Sequence, residues 1–330
     1  MRAVVIKEFG PIDSHGLQDL PVPSPGPGEV LINVHAIGVN FPDSLMAQGL
    51  YQIKPERPFT PGRDAAGTIA AVGEGVEKLK IGDRVACLVT YGAYAEQCVA
   101  PESRCFPLPE NVDFLTAAGM TTVYLTAWVS LMERGDYQEG EKVLVLGASG
   151  GVGLAAVQIA KAHGAFVIGG DIDDEKRSIV LENGADAVCD ILGDNISDTL
   201  RKEVFAVTDG YGVDVILDPV GGDVFTAALR CMSFAARIVC IGFVAGIPTA
   251  RPNYFNVKNI TLAGMGLDLH FKHKPHVVQA ASADIFDMLK KGKIKPKITQ
   301  TYLLEDFATA LGQFSAKKSI GKMVMTTGRD

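Results

Sequence analysis

The stretch Lys142-Val-Leu-Val-Leu-Gly-Ala-Ser-Gly-Gly-Val-Gly153 constrains the fold more than any other part of the chain. An apolar run of strand character ends in a glycine-rich turn, and the turn opens Leu154-Ala-Ala-Val-Gln-Ile-Ala-Lys-Ala-His-Gly164, which has helical composition. A second apolar run from Phe166 ends at Asp171. The result is a βαβ unit of about thirty residues with an acid about twenty residues past the glycines, the pattern of a dinucleotide-binding turn. Gly150 lets backbone approach a pyrophosphate, and Gly153 lets the helix pack close on the strand. The helix N-terminus offers free N–H groups and partial positive charge to phosphate. Ser149, Gly150, Gly151, Val152, Gly153 and Asp171 are therefore candidate cofactor-binding residues. Ala148 stands where the usual pattern has its first glycine, so the flanking strand, helix and acid carry the argument. The alternative is an ordinary strand–turn–helix whose glycines serve packing.

Residues 143–160 contain no charged side chain, which raises a membrane span as a possibility. The glycines, Ser149 and the change from strand to helix midway argue instead for a buried parallel strand beside a core-facing helix. With 330 residues, 47% hydrophobic and 21% charged, the chain suits two domains with large cores. A net charge of −7 opposes a general nucleic-acid binder. No signal peptide is expected from Met1-Arg-Ala-Val-Val-Ile, and the six cysteines are scattered without a C-x-x-C. Both point to a reducing compartment, the cytoplasm or an organelle matrix.

The first third has β character, with strand candidates at 29–36, 67–72 and 83–89 punctuated by Gly and Pro clusters. From Ala117 to Leu131 a helix is predicted. Beyond it strands alternate with helices, the strands at 142–147, 166–170, 186–190, 213–218, 236–242 and 259–265. The helical stretches include Asp174–Glu182 and Asp223–Met232. Such alternation implies a parallel, doubly wound sheet. A helix at Ser282–Lys291 and a last strand from Ile320 are expected, with the C-terminus folding back on the N-terminal domain.

Taken in order, Gly38-Val-Asn-Phe-Pro-Asp43, Gly49-Leu-Tyr51, Pro61-Gly-Arg-Asp64, Val72-Gly-Glu-Gly-Val76, Gly82-Asp-Arg-Val85, Gly92-Ala-Tyr-Ala-Glu96, Thr122-Val-Tyr124, Gly150-Gly-Val-Gly153, Asp218-Pro-Val-Gly-Gly222 and Gly321-Lys322 resemble the medium-chain dehydrogenase/reductase superfamily. Within it the chain looks most like the zinc-independent, zeta-crystallin-like quinone oxidoreductases. The resemblance implies an α/β fold, a Rossmann domain at 119–265 and a GroES-like β-rich substrate domain at 1–118 and 266–330. It also implies catalysis in a cleft between domains and a homodimer or homotetramer, commonly built by joining Rossmann domains. Zinc-dependent relatives place a Cys and a His where Asn40 and Arg63 stand, so no metal is expected. His270-x-x-His273-x-x-His276 lies amid Lys272, Lys274 and Pro275, which predict a solvated surface segment in place of a metal site.

Without a metal the substrate must itself accept hydride well. Quinones and conjugated enones or enoyl thioesters qualify, leaving the protein to position and polarise. By resemblance Tyr51 contacts substrate and Asn40 and Thr122 border the nicotinamide, the last by a hydrogen bond to the carboxamide. These three are the candidate catalytic residues, set against simple packing roles. Arg63 and Asp64 are expected to form a structural ion pair. Gly242, Phe243 and Val244 follow a strand at the sheet's C-terminal edge and are expected beside the nicotinamide.

Asp171 favours NADH, because a carboxylate accepts from a ribose 2′-OH and repels a 2′-phosphate. Lys176 matches a phosphate-contacting lysine of the NADPH-preferring relatives, so the cofactor is NAD(P)H with a slight lean to NADH. The leading expectation is an NAD(P)H-dependent quinone oxidoreductase acting on a small-molecule quinone or activated alkene, with no nucleic-acid or membrane partner. The alternatives are an enoyl-CoA or 2-alkenal double-bond reductase, and a dinucleotide-binding structural protein of crystallin type.

Overall fold

A computed structural model describes residues 1–315 and 319–329. The chain divides into two compact units: Met1–Thr122 with Pro296–Asp330, and Val123–Lys295.

The first unit begins with a two-stranded ribbon, β1 (Arg2–Val5) and β2 (Gly16–Asp19). Its main sheet uses β3 (Glu29–Val39), β4 (Asp64–Val72), β5 (Arg84–Leu88), β6 (Gln97–Pro101) and β7 (Cys105–Pro107). Between β3 and β4 lies the short helix α1 (Phe41–Ala47). The chain then enters α2 (Phe114–Trp128), which ends in a π-helical turn at Val129–Arg134. The boundary between the units falls inside this helix.

The second unit continues through β8 (Lys142–Leu146), α3 (Gly151–Ala162), β9 (Phe166–Asp171), α4 (Asp174–Glu182), β10 (Ala187–Asp190), α5 (Ile196–Val207) and β11 (Val213–Asp218). It closes with α6 (Gly222–Ala228), β12 (Met232–Cys240), α7 (Pro252–Lys258), β13 (Thr261–Gly264), α8 (Leu267–His273) and α9 (Pro275–Lys290). Its strands form one parallel sheet in the order β10-β9-β8-β11-β12-β13. That is the doubly wound order in which the strand sequence reverses beside the first strand, here β8. Apolar side chains on both faces bury this sheet: Leu144 and Leu146 of β8, Ile168 of β9 and Ile216 of β11 on one face, and Val143 and Val145 of β8, Val167 of β9 and Val215 of β11 on the other, are all inaccessible to solvent. The segment 143–160, which has the apolarity of a membrane span, is thus a central strand, a turn and a core helix.

The last segment returns to the first unit as β14 (Ile298–Leu303), α10 (Phe307–Ser315) and β15 (Lys322–Thr326). β15 pairs antiparallel with β3, Met323 opposite Val39 and Thr326 opposite Ala36, so the C-terminus does fold back onto the N-terminal domain. The sheet runs β14-β15-β3-β4-β5-β7, with β6 also on β3.

The sequence predicts domain limits at 118/119 and 265/266, whereas the return to the first unit begins at Pro296. Residues 266–295 stay with the second unit because α9 and the loop after it are tied there. Trp128 Nε1 donates to Asp284 (2.7 Å), and His163 Nε2 lies 2.9 Å from the same carboxylate. The Gln158 carboxamide donates to Lys295 O and accepts from Lys295 N–H. One further element differs from expectation, and the histidine segment lies at the surface as expected, with His273 and His276 exposed. The helix predicted at 223–232 is α6 followed by a 3₁₀ turn at Leu229–Cys231, and β12 starts already at Met232. The histidine segment is helical: α8 carries His270 and His273, and Pro275 opens α9 from a first-turn position that needs no N–H. All six cysteines are free, and five are buried.

Candidate functional site

In the second unit the glycine-rich turn joins β8 to α3. Gly153 is fixed by packing: a Cβ there would stand 2.3 Å from Gly147 O and 2.6 Å from Ala148 Cα. Gly150 differs, because the nearest atom to its Cβ would be Gly147 O at 3.4 Å, an ordinary contact. The protein itself does not demand glycine at 150, which fits a position where a ligand approaches backbone. Gly150 is the N-cap of α3, and no side chain caps the helix. The first-turn N–H groups of Gly151, Val152 and Gly153 point out of the helix end without intrahelical acceptors. They form a site suited to a diphosphate.

Asp171 ends β9, 3% exposed. Its carboxylate accepts from Ser149 N–H (2.7 Å) and from Ile172 N–H (2.9 Å). The acid therefore clamps the start of the turn. The sequence places the diphosphate on the amides of 149–153, but the Ser149 amide is already committed to Asp171. Lys176 sits in the first turn of α4, where its N–H donates to the capping Asp173 side chain (2.8 Å). Arg177 is held by Asp174, Asp190 and the Asp171 carbonyl.

At the C-terminal ends of β11 and β12 two loops are laced together. Asp218, fully buried, accepts from Val220 and Gly221 N–H through Oδ1. Burial raises its pKa, and those two N–H groups oppose the shift. Ala245 N–H donates to Val220 O, and Gly222 N–H to Gly246 O. On this scaffold Gly242 lies against Pro219, while Phe243 and Val244 are 50% and 57% exposed. Large apolar side chains held out to solvent on a braced loop are suited to a ligand face.

In the first unit a buried polar network forms around α1. Asn40 caps the helix, Pro42 lies in its first turn and Asp43 occupies the third position, a capping arrangement visible in Asn40-Phe-Pro-Asp43. Asp43 Oδ2 accepts from Asn40 N–H (2.9 Å) and from the buried Tyr94 hydroxyl (3.0 Å). Lys322 Nζ, from β15, donates to Val39 O (2.8 Å) and to Asn40 Oδ1 (2.7 Å), and lies 3.9 Å from Asp64 Oδ2. Asn40 Nδ2 donates to Asp64 Oδ2 (3.0 Å) and Gly38 O (3.2 Å). The Thr122 hydroxyl donates to Asp64 Oδ1 at 2.5 Å. Gly38 makes this convergence possible, since a Cβ there would strike the Ala118 carbonyl at 2.3 Å and Asp64 at 2.9 Å.

Burial dominates the titration of this network. It pushes Asp43 up to about 6, helped by the Asp64 charge. It also raises Asp64, opposed by Lys322, Thr122, Asn40 and Arg63, and lowers Lys322, opposed by the two carboxylates. Tyr94 is driven well above the ordinary phenol range, again chiefly by burial.

Of the predicted residues, Asn40 and Thr122 thus share one network. Tyr51 is half-buried and packs against the first unit's core. The expected partner of Asp64 is Arg63, whose charge acts on the carboxyl; Lys322 lies 3.9 Å from Asp64 as well, and neither it nor Asp43 and Tyr94 is singled out as a site residue by the sequence. The only available signal was the Gly321-Lys322 pair, whose partner Asn40 lies 282 positions away. The network does not fit zinc: the Asn40 carboxamide is engaged at both ends, and the lysine ammonium touches the oxygen a metal would need. Among the described residues no group of three or more His, Cys, Asp or Glu could hold a metal ion.

Comparison with known proteins agrees with both units. Residues 26–110 match the alcohol dehydrogenase GroES-like domain, and residues 151–282 match the zinc-binding dehydrogenase family. The quinone oxidoreductase of Rattus norvegicus is 36% identical over 98% of this chain and 97% of its own length. Mycobacterial Rv1454c, solved in complex with NADPH, superposes with a TM-score of 0.92 at 32% identity, covering 99% of this chain and all of that one. The Escherichia coli quinone oxidoreductase, also complexed with NADPH, gives 0.90 at 27% identity, covering 99% and 100%.

Proposed function

This chain belongs to the quinone oxidoreductase family of the medium-chain dehydrogenases/reductases, and from that premise we propose that it is a zinc-independent NAD(P)H-dependent reductase of quinones or similarly activated acceptors. The observation that carries the proposal is the Lys322–Asn40–Asp64–Thr122 network: Asn40, where by resemblance zinc-dependent relatives have a cysteine, is a carboxamide saturated by Asp64 and by the Lys322 ammonium. No Lewis acid is then available from these residues, and an unactivated ketone is a poor substrate. A quinone accepts hydride readily because its product is a delocalised phenolate that water protonates.

The reduced nicotinamide, when bound, supplies the hydride. The chain's own work is binding and orientation. The free amides of Gly151, Val152 and Gly153 hold the diphosphate, and Asp171 accepts from a ribose hydroxyl. Lys176 borders the adenosine ribose, Phe243 and Val244 give apolar contact, and Tyr51 contacts the acceptor. Thr122 and Asn40, which share the buried network, are the residues that by resemblance border the nicotinamide. Two of the solved relatives carry NADPH. In this chain the Asp171 carboxylate is pinned by two backbone N–H bonds and cannot easily swing away from a 2′-phosphate, so we favour NADH. A soluble, cytoplasmic or organelle-matrix enzyme acting as a homodimer or homotetramer completes the proposal.

The test is steady-state reduction of 9,10-phenanthrenequinone and of crotonyl-CoA with NADH and with NADPH. The expected result is quinone turnover with a preference for NADH that narrows in Asp171→Ala. Turnover of crotonyl-CoA alone would transfer the assignment to an enoyl-CoA reductase. A large NADPH preference unchanged by Asp171→Ala would end the argument from repulsion.

A further inference from the structure

We infer that Cys87 and Cys105 are a modification site, a dithiol of the first unit that a hydroperoxide converts to a reversible cross-strand disulfide. Strand register sets up the pair. β5 and β7 are antiparallel neighbours, and Cys87 stands directly opposite Cys105. Two backbone bonds fix the kind of pair. Leu108 N–H donates to Arg84 O (2.9 Å) on the β7 side, and Val89 N–H donates to Arg63 O (2.8 Å) on the β4 side. Even positions of β5 therefore turn their N–H and C=O to β7 and odd positions to β4, which makes Cys87 and Cys105 a non-hydrogen-bonded pair. Pro107, which has no N–H, faces Val85 at the equivalent place. In such pairs the Cα atoms stand about 4.5 Å apart with both side chains on one face, within the roughly 4.4–6.8 Å that a disulfide spans.

Cys87, Cys98 and Cys105 all face the first unit's core. Cys98 touches Cys87 but sits on β6, which pairs with β3, so no shared ladder holds its Cα at disulfide distance from Cys87. A hydrogen bond with the Cys98 thiol, then burial, holds Cys87 well above the usual thiol range, and burial does the same for Cys105. The closed dithiol is therefore slow to react. Cys87 is inaccessible, whereas Cys105 is 9% exposed and begins β7, the three-residue strand at the sheet's edge. A short edge strand opens locally at low cost, and that opening admits the oxidant. Cys105 Sγ takes one oxygen as the peroxide O–O bond breaks, leaving a sulfenic acid and an alcohol or water. Cys87 Sγ then displaces that oxygen as water, giving up its own proton, and the S–S bond forms. The two sulfurs lose two electrons and the peroxide gains them.

The experiment treats the full native chain with hydrogen peroxide, caps the remaining thiols with N-ethylmaleimide in denaturant, and maps the unreduced digest by mass spectrometry. The expected result is a peptide linked through Cys87 and Cys105 in most of the protein, released by dithiothreitol. Cys98→Ser is expected to form the same link, and Cys105→Ser to leave Cys87 as a capped thiol. In the oxidised wild type the Phe106 amide, which bonds into β5, is expected to exchange about tenfold more slowly than in the reduced form, because the staple stops β7 from opening. Free Cys87 and Cys105 after exhaustive peroxide treatment overturn the inference. So does Cys105 carried on to sulfinic acid with Cys87 still free, a link from Cys87 to Cys98 in place of Cys105, or a link that forms only in the urea-unfolded chain.

Discussion

Asp43 offers a stability test with an unusual sign. The carboxyl is fully buried at the third position of α1, with Oδ2 bonded to Asn40 N–H and Tyr94 O–H and Oδ1 unpartnered. Burial first, and the Asp64 charge second, raise it from 3.8 to about 6. A raised acid binds its proton more tightly in the folded chain than in the unfolded one. Its contribution is fully present below the unfolded pKa and is lost as pH rises through 6, the reverse of ordinary acid denaturation. A shift of about two units at about 1.4 kcal/mol each corresponds to about 3 kcal/mol. Asp43→Asn removes the titration while keeping an acceptor for both donors. The stability of wild type relative to the variant should therefore fall by about 3 kcal/mol between pH 3 and pH 7.5. Asp64, Arg63, Lys322 and Tyr94 surround the same position in both proteins. Native-state hydrogen exchange of β3 amides, corrected for intrinsic rates, measures the difference at each pH. A pH-independent difference, or one in which wild type gains on raising the pH, would refute the account.

The two turn glycines should separate structure from binding. Gly153→Ala, which drives a Cβ into backbone at 2.3 Å, should cost about 1–3 kcal/mol in thermal unfolding. Gly150→Ala, with its nearest contact at 3.4 Å and φ of −71°, should change stability by less than about 0.5 kcal/mol yet weaken dinucleotide binding at least tenfold, read by calorimetric titration. Arg237 donates to Gly135 O and Asp136 O and grips Glu141 with both terminal nitrogens. Arg237→Met should lower urea stability by about 2–3 kcal/mol, and a loss under about 0.5 kcal/mol would show the strut to be dispensable.

The doubly wound sheet was legible because each of its strands is a local apolar run bounded by turn residues, and each helix follows its strand. Asp174–Glu182 matches α4 to the residue, since Asp173 supplies an N-cap that the sequence displays openly. The first unit was harder to see. β1, β2 and β7 are three or four residues long and lack an alternating pattern of their own. The return point was misjudged by thirty residues because Gln158 and Trp128 anchor α9 and its following loop through side chains whose partners lie 137 and 156 positions away. In the site, Gly150–Gly153 and Asn40-x-x-Asp43 were local and readable. Lys322 reaches its partners only through the pairing of β15 with β3, and no short-range pattern announces an ammonium that will end up buried.

That buried ammonium sets up the last test. Desolvating a lysine and a carboxylate is costly, and their attraction repays it only when both are present. Removing one partner strands the other: Asp64→Leu would leave the Lys322 ammonium bonded to neutral acceptors with only the Asp43 charge beside it, and Lys322→Met would leave Asp64 with an amide, a hydroxyl and the Arg63 charge. Each single substitution should cost about 3–5 kcal/mol, and the double substitution should cost less than the sum by about 2–3 kcal/mol. Urea unfolding of the four proteins closes the cycle. Strict additivity in the cycle would show that the two charges, 3.9 Å apart, do not sense one another.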